Sequence, residues 1–354
     1  MGGQHLPGSP HESTWCRRLR REVDESMQSQ LEHDHPPAPV VSVAITAYNS
    51  VKWLPRALDS VIEQRTNFPF EIVISDDCSQ DETLALAYSY RDRHPSLIRV
   101  LERSANVGMQ RNYYETFEQC RGKFIAWLDS DDYWTDPDKL SIQVDALDSD
   151  PTISMCCHCV RVVTDDGTIK DGRAPSLPQG RYGLENLLRQ NIVASPSAMF
   201  RNGIQSQLPD WYFDLAPITD WPIWVLAALS GDILLVDRLM ADYMLTPGSS
   251  HSSKGPLFAF KTDARFYEHV ESILPPKWHR LVRAEKGTRY EAIAYLLRKQ
   301  GNFIGSRQTA FMAFRSPFIL DNFGSKAKSL LAAVVRETQW RLRGGSAAAN
   351  QSSL

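Results

Sequence analysis

The densest chemistry in the chain lies in AWLDSDDYW, residues 126–134. An apolar run over 124–128 ends in Asp129, Asp131 and Asp132, with Tyr133 and Trp134 directly behind. Like charges this close repel, and holding them beside a packed strand is costly unless a cation or ligand neutralises them. Residues i and i+2 of an extended segment face the same way, so Asp129 and Asp131 can share one target. A hard divalent ion, Mg²⁺ or Mn²⁺, bound through one or two carboxylates and a substrate phosphate answers that pattern. Turn chemistry favours Asn, Asp and Ser and explains one cap here, not three carboxylates.

Such a cluster must be positioned by regular elements, and the surrounding sequence supplies them. Strand patterns at 40–46, 71–75, 97–102 and 123–128 alternate with helical patterns at 51–64, 81–93, 108–119 and 136–147. The alternation predicts an α/β fold with a mostly parallel sheet covered on both faces. The continuous apolar character of the strands fits burial on both sides. Ser79 and Glu82 have the spacing of a capping box, and Asp136-Pro137 reads as a cap with a first-turn proline.

Beyond residue 150 the pattern changes. ISMCCHCVRVV (153–163) and Thr168-Ile169-Lys170 predict a hairpin about Asp165-Asp166-Gly167. Residues 171–183 read as a Pro/Gly-rich loop, 184–190 as a helix, and SPSAMFR (195–201) as a strand. A helix over 219–231 precedes strands at 232–237 and 239–245, and helical patterns cover 257–274, 278–299, 304–314 and 324–342. The domain reading is a disordered arm over 1–38, a catalytic domain over 39–253, a helical region over 254–343 and a disordered tail over 344–354.

Bulk properties narrow the class. The net charge of −3 gives no general attraction to nucleic acid. No apolar run approaches the roughly 20 residues of a membrane span, and the N-terminus lacks a basic-then-apolar signal, so the expected compartment is the cytoplasm. The run Cys156-Cys157-His158-Cys159 invites a zinc reading, but adjacent ligands cannot wrap a tetrahedral ion unaided; a buried strand using cysteine as a small hydrophobe is the expectation.

In an open parallel sheet, ligands bind beyond the carboxyl ends of the strands. The first strand is followed there by Ala47, Tyr48 and Asn49, the second by Asp76 and Asp77, the third by Asn106, and the fourth by Asp129, Ser130, Asp131 and Asp132. SVAITAYNS, EIVISDDCSQDET, NVGMQRN and LDSDDYW, in that order over about 40–250, resemble the inverting glycosyltransferases of family 2, with the GT-A fold. The resemblance implies that Ala47, Tyr48, Asn49, Asp76 and Asp77 hold the base and ribose of a nucleotide-sugar donor, most often UDP-linked. It places Asn106 and Arg111 in the same site, with Arg111 able to face phosphate. It makes Asp129 and Asp131 the D-x-D pair: Asp131 the metal ligand, Asp129 beside the ribose or the metal's waters, and Ser130 and Asp132 nearby.

The resemblance also requires a general base opening a short helix later in the chain, and Asp220 stands at that place. Asp220 equally fits an ordinary N-cap, with Pro222 just inside the helix. The family's Tyr-Arg-x-His ending is replaced by Tyr243-Met244-Leu245-Thr246; His251 is the nearest substitute ligand. The implied activity is sugar transfer to a glycan or lipid-linked acceptor. A catalytically weak nucleotide-sugar-binding relative is the alternative. A nucleotidyltransferase would want a glycine-rich loop after the first strand, and AYNSVKW has none. Residues 324–343 read as a basic amphipathic helix, suited either to an anionic membrane surface on the inner face of the cell membrane or to packing on the catalytic domain.

Overall fold

The computed structural model describes residues 38–246, 254–317 and 323–342; the arm through residue 37, His251 and the tail from 344 fall outside them. The four expected strands form as β1 (Val41–Ala47), β2 (Phe70–Asp76), β3 (Ile98–Glu102) and β4 (Phe124–Asp129). They run parallel in the order β3-β2-β1-β4. Helices α1 (Leu54–Ile62), α2 (Thr83–Arg93) and α3 (Met109–Glu118) make the crossovers, and α4 (Lys139–Ser149) follows β4.

Period-two packing explains why the middle of β1, β2 and β4 is continuously apolar. Val43, Ile45, Ile72, Ile74, Ala126 and Leu128 pack into one buried cluster. Their neighbours Ala44, Val73, Ile125 and Trp127 point into a second. Alternate side chains leave opposite faces of a strand, so a sheet covered on both sides favours consecutive apolar positions along its central strands. Gly122 enters β4 so close to β1 that a Cβ there would sit 2.4 Å from the Ser42 nitrogen.

The second half widens the sheet. β5 (Tyr133–Trp134), β6 (Ile153–Thr164), β7 (Ile169–Ala174), β8 (Gly180–Tyr182), β9 (Met199–Arg201) and β10 (Asp232–Leu245) join it, with α5 (Leu184–Arg189) and α6 (Trp221–Ser230) alongside. The order continues β4-β9-β6-β10-β5, and β9 runs antiparallel to both of its neighbours. The cysteine-rich run is the buried strand expected, with Cys156, Cys157 and Cys159 free thiols.

Several local expectations need correction. The loop over 171–183 contains the end of β7 and all of β8, paired to β6 and β10. The strand over 195–201 is a 3-10 turn, Ser195–Ser197, followed by the short β9. The two strands at 232–245 are one, carrying register shifts at Val236 and Leu239. The capping box at Ser79 and Glu82 does not form: the Thr83 amide is held by Asp81, and the Ser79 hydroxyl donates to Asp76. Asp136 accepts from the Asp138 amide, and α4 begins only at Lys139.

The remaining helices are α7 (Gly255–Val270), α8 (His279–Lys299), α9 (Phe303–Arg315) and α10 (Phe323–Leu342). Phe266, Tyr267, Val270 and Val282 share one buried cluster with Trp221 and Val225 of α6. Trp221 stacks on Phe266 with ring centroids 4.3 Å apart. The C-terminal helices therefore brace the helix whose first turn presents Asp220.

Candidate active site

A cavity of about 1260 Å³ opens over the carboxyl ends of β1, β2 and β4. Ala47, Tyr48, Asn49, Asp77, Asn106, Asp129, Ser130, Asp131 and Asp220 all line it. Eight of these lie at or just beyond strand ends of the first half, whereas Asp220 arrives from the N-cap of α6.

One side of the cavity is a lattice of saturated turns. Asp76 accepts from the amide and hydroxyl of Ser79 at 2.9 and 2.5 Å, and does not reach the cavity wall. Asp77 accepts from the amides of Val107 and Gly108 at 2.8 and 3.0 Å, and its carbonyl receives the Asn106 side chain at 3.1 Å. Gly108 has φ +85°, a conformation open to glycine, which turns its amide toward Asp77. Asn49, at φ +49°, accepts from the Gln80 amide at 2.8 Å and donates its own amide to Ser79. Tyr48 is half exposed above this lattice.

The other side is crowded with negative charge. Asp129 accepts from Tyr113 and, at 2.9 Å, from the Trp127 indole through one oxygen, and from Ser195 at 2.7 Å through the other. Behind it Trp127 packs against Phe117 and Trp224, ring centroids 4.9 and 5.4 Å away. Asp131 meets the Thr246 hydroxyl at 3.0 Å; burial and the neighbouring Asp129 push its carboxyl up to about 6. Asp132 accepts from the Met244 amide at 2.7 Å through one oxygen, while the other is buried with no hydrogen-bond partner among the described residues. Burial, then Asp131 and Asp129, raise its carboxyl well above the usual range. Ser130 bonds to Ser50 at 2.8 Å.

Asp220 is an N-cap and more. One oxygen accepts from the Trp221 amide at 2.7 Å; the other accepts from Asn191 at 3.0 Å and the Trp224 indole at 3.3 Å. Burial raises its carboxyl above the ordinary value against these donors, and the field of Asp129 adds to the rise.

Asp132, like Asp76, is absent from the cavity lining, and two further expected residues stand apart. Arg111 does not line the cavity: it lies over the Phe213 ring and pairs with Glu115, one turn along α3, at 3.6 Å. His251 lies outside the described residues. Sequence reasoning missed Tyr113, Asn191 and the Asp263 and Arg289 side chains that the C-terminal helices bring to the cavity. Nothing local in the sequence marks these four, because each reaches the site through packing between distant elements.

Among the described residues no three His, Cys, Asp or Glu side chains are grouped to hold a metal. The donors nevertheless suit a hard cation that takes few protein ligands. An unpartnered buried carboxylate oxygen on Asp132 and the disfavoured charge of Asp131 are both relieved by a divalent ion, which needs only one or two carboxylates beside a phosphate.

The fold and this site define an α/β protein of GT-A type with a nucleotide-scale cavity at its switch point. Residues 42–205 match the family described as Glycosyl transferase family 2, and this part of the chain is a family 2 glycosyltransferase domain. Uncharacterized protein Rv1520 of Mycobacterium tuberculosis is 37% identical over 204 residues, 57% of this chain and 58% of that relative. Chondroitin synthase of Escherichia coli is 33% identical over 119 residues, 34% of this chain and 16% of that one. The chain thus spans under two thirds of the length of either of these relatives. Among solved structures, Staphylococcus aureus TarS 1-349 in complex with UDP-GlcNAc aligns with a TM-score of 0.56 at 18% identity, over 85% of this chain and 91% of that one. The mannosyltransferase PcManGT of Pyrobaculum calidifontis, in complex with GDP-Man and Mn²⁺, aligns at 0.53 and 14% identity, over 93% and 96%. At these identities the structural likeness establishes the fold.

Proposed function

We propose that the protein transfers a sugar from a nucleoside-diphosphate donor to an acceptor hydroxyl, with inversion at the anomeric carbon. The observation that carries this reading is that Asp220 and the carboxylates of Asp129 and Asp131 line one cavity. Donor and acceptor then meet between a base on one side and the diphosphate end of the donor on the other. The chemistry of the bound relatives and the family 2 domain support the donor class.

Ala47, Tyr48, Asn49 and Asp77 present the wall for base and ribose, with Asn106 holding the turn that carries Asp77. Asp129, fixed by Tyr113, Trp127 and Ser195, is oriented before any ligand arrives. Asp131 and Asp132 would hold Mn²⁺ or Mg²⁺. When bound, that ion stabilises charge growing on the departing diphosphate. Asp220 accepts the proton of the acceptor hydroxyl as its oxygen bonds to the anomeric carbon and the bond to the diphosphate breaks. Asn191 and the Trp224 indole hold the Asp220 carboxylate to one orientation. Its raised affinity for a proton makes it a better base than an exposed aspartate. A glycan or lipid-linked hydroxyl would enter along the wall formed by Asn191, Thr219 and Arg289.

The test incubates the protein with UDP-, GDP- and dTDP-sugars and Mn²⁺ and follows nucleoside diphosphate release, with NMR of any product to read its anomeric configuration. The proposal expects release with one nucleotide class and a configuration opposite to the donor's. A retained configuration removes Asp220 as direct base, and no release with any donor and acceptor leaves only donor binding.

A further inference from the structure

The last two helices carry an exposed apolar face. Phe311 and Met312 on α9, and Leu331, Val334, Val335 and Leu342 on α10, are 40–82% exposed. Single exposed apolar side chains are ordinary, whereas contiguous ones mark contact surfaces. Contiguity follows from the register of the two helices. Phe303 faces Trp340 with ring centroids 6.1 Å apart, Arg307 pairs with Glu337, and Ala310 shares a cluster with Ala333, so the helices run antiparallel. Phe311 lies one turn beyond Arg307, and Val334 one turn before Glu337, which sets them side by side. Leu331 and Val335 extend the strip along α10.

The charge beside this strip has one sign. Arg307, Arg315, Lys328, Arg336 and Arg341 are exposed. The carboxylate that these two helices carry is Glu337, 4% exposed and held by Arg307 and, at 2.8 Å, by Arg341. A second copy meeting the same face would set cations against cations. A nucleic acid would leave the aliphatic strip without a partner. An anionic bilayer satisfies both features, because apolar side chains enter the headgroup region while flanking Lys and Arg meet lipid charge.

We propose that the α9–α10 face docks on an anionic lipid surface. The proposal stands apart from the sugar-transfer reading, since lipid binding is read without any donor. The experiment sediments the full chain with vesicles of phosphatidylcholine alone, and with vesicles of phosphatidylcholine and phosphatidylglycerol. Binding is expected to the mixed vesicles and to weaken as salt rises. Arg315→Gln, Lys328→Gln and Arg336→Gln, each taken singly, should lower partitioning by up to about fivefold. The pair Leu331→Ser and Val335→Ser should weaken binding at high salt as well, with an unchanged circular dichroism melt. Three results overturn the proposal: equal binding to both vesicle types, full binding by the Leu331/Val335 variant, or self-association without lipid that this variant abolishes.

Discussion

Two buried carboxylate sites at opposite ends of the sheet obey opposite rules. At the amino end of β2, Glu71 is 3% exposed. It accepts from Ser42 at 2.7 Å, from the Arg121 amide at 2.9 Å and from the guanidinium groups of Arg99 and Arg121 at 3.0 and 2.6 Å. Burial opposes its ionisation, but these donors outweigh it and hold the carboxyl at about 2. At the carboxyl end, Asp131 and Asp132 meet no arginine among the described residues, and one oxygen of Asp132 has no hydrogen-bond partner among them. The same side-chain chemistry therefore stabilises one end of the sheet and strains the other. The strained end faces the cavity, which is where a ligand can complete it.

The sharpest way to test that division is at the cavity. Asp220→Asn should cut turnover by roughly 10²–10⁴, the usual contribution of a general base, with donor affinity by calorimetry close to the parent. Turnover within a few-fold of the parent would break the assignment. The reverse test sits at the other end. Glu71→Gln should cost on the order of 3 kcal/mol in denaturant unfolding while leaving turnover per folded molecule unchanged. The sign with pH is definite. A carboxyl held below its unfolded value contributes fully above about 4.5 and loses that contribution as pH falls toward about 2. The gap between parent and Glu71→Gln should therefore close through that window; a gap constant with pH would place the cost in packing instead.

A third substitution separates strain from stability. Asp132→Asn removes a carboxyl whose ionisation burial and its neighbours oppose and one of whose oxygens is unpartnered, so in the presence of chelator it should stabilise the fold by about 1–2 kcal/mol. With Mn²⁺ and donor present the order should reverse, because the parent gains ligand stabilisation that the variant loses. A variant that is less stable under both conditions would show that the Met244 contact of Asp132 matters more than its charge.

How much of this was legible depends on how local the cause is. The continuous apolar runs of β1, β2 and β4 announced a sheet buried on both faces, and the crowding of Asp129, Asp131 and Asp132 announced the strained end. The saturation of Asp76 and Asp77 was not legible: as a pair at a strand end they resemble the 129–132 cluster, and their partners Ser79, Val107 and Gly108 are seen only in three dimensions. Arg111 misled because each helical residue turns by about 100°, so Asn112 and Tyr113 face the cavity and Arg111 faces Glu115. The strands within 171–183 are short, and their pairing to β6 and β10 outweighs a Pro- and Gly-rich sequence that by itself reads as loop. Asp263 and Arg289 reach the cavity only because Phe266 and Tyr267 pack on Trp221, a tertiary fact with no local signal.

The smallest predicted effect tests whether the orientation of Asp129 is built in advance. Ser195 donates to one Asp129 oxygen, while Tyr113 and Trp127 hold the other. The turn that carries Ser195 is fixed independently: the Gln143 amide reaches the Ser197 and Cys156 carbonyls at 2.8 and 2.9 Å, and the Trp134 indole reaches the Pro196 carbonyl at 3.0 Å. Ser195→Ala should then remove one hydrogen bond without moving the turn, costing about 1 kcal/mol of stability. Asp129 keeps the donors on its other oxygen, so kcat should hold within a few-fold while the donor KM rises modestly. A large fall in kcat with unchanged KM would mean that Ser195 touches the reacting atoms, and would move it from the wall that orients Asp129 into the chemistry itself.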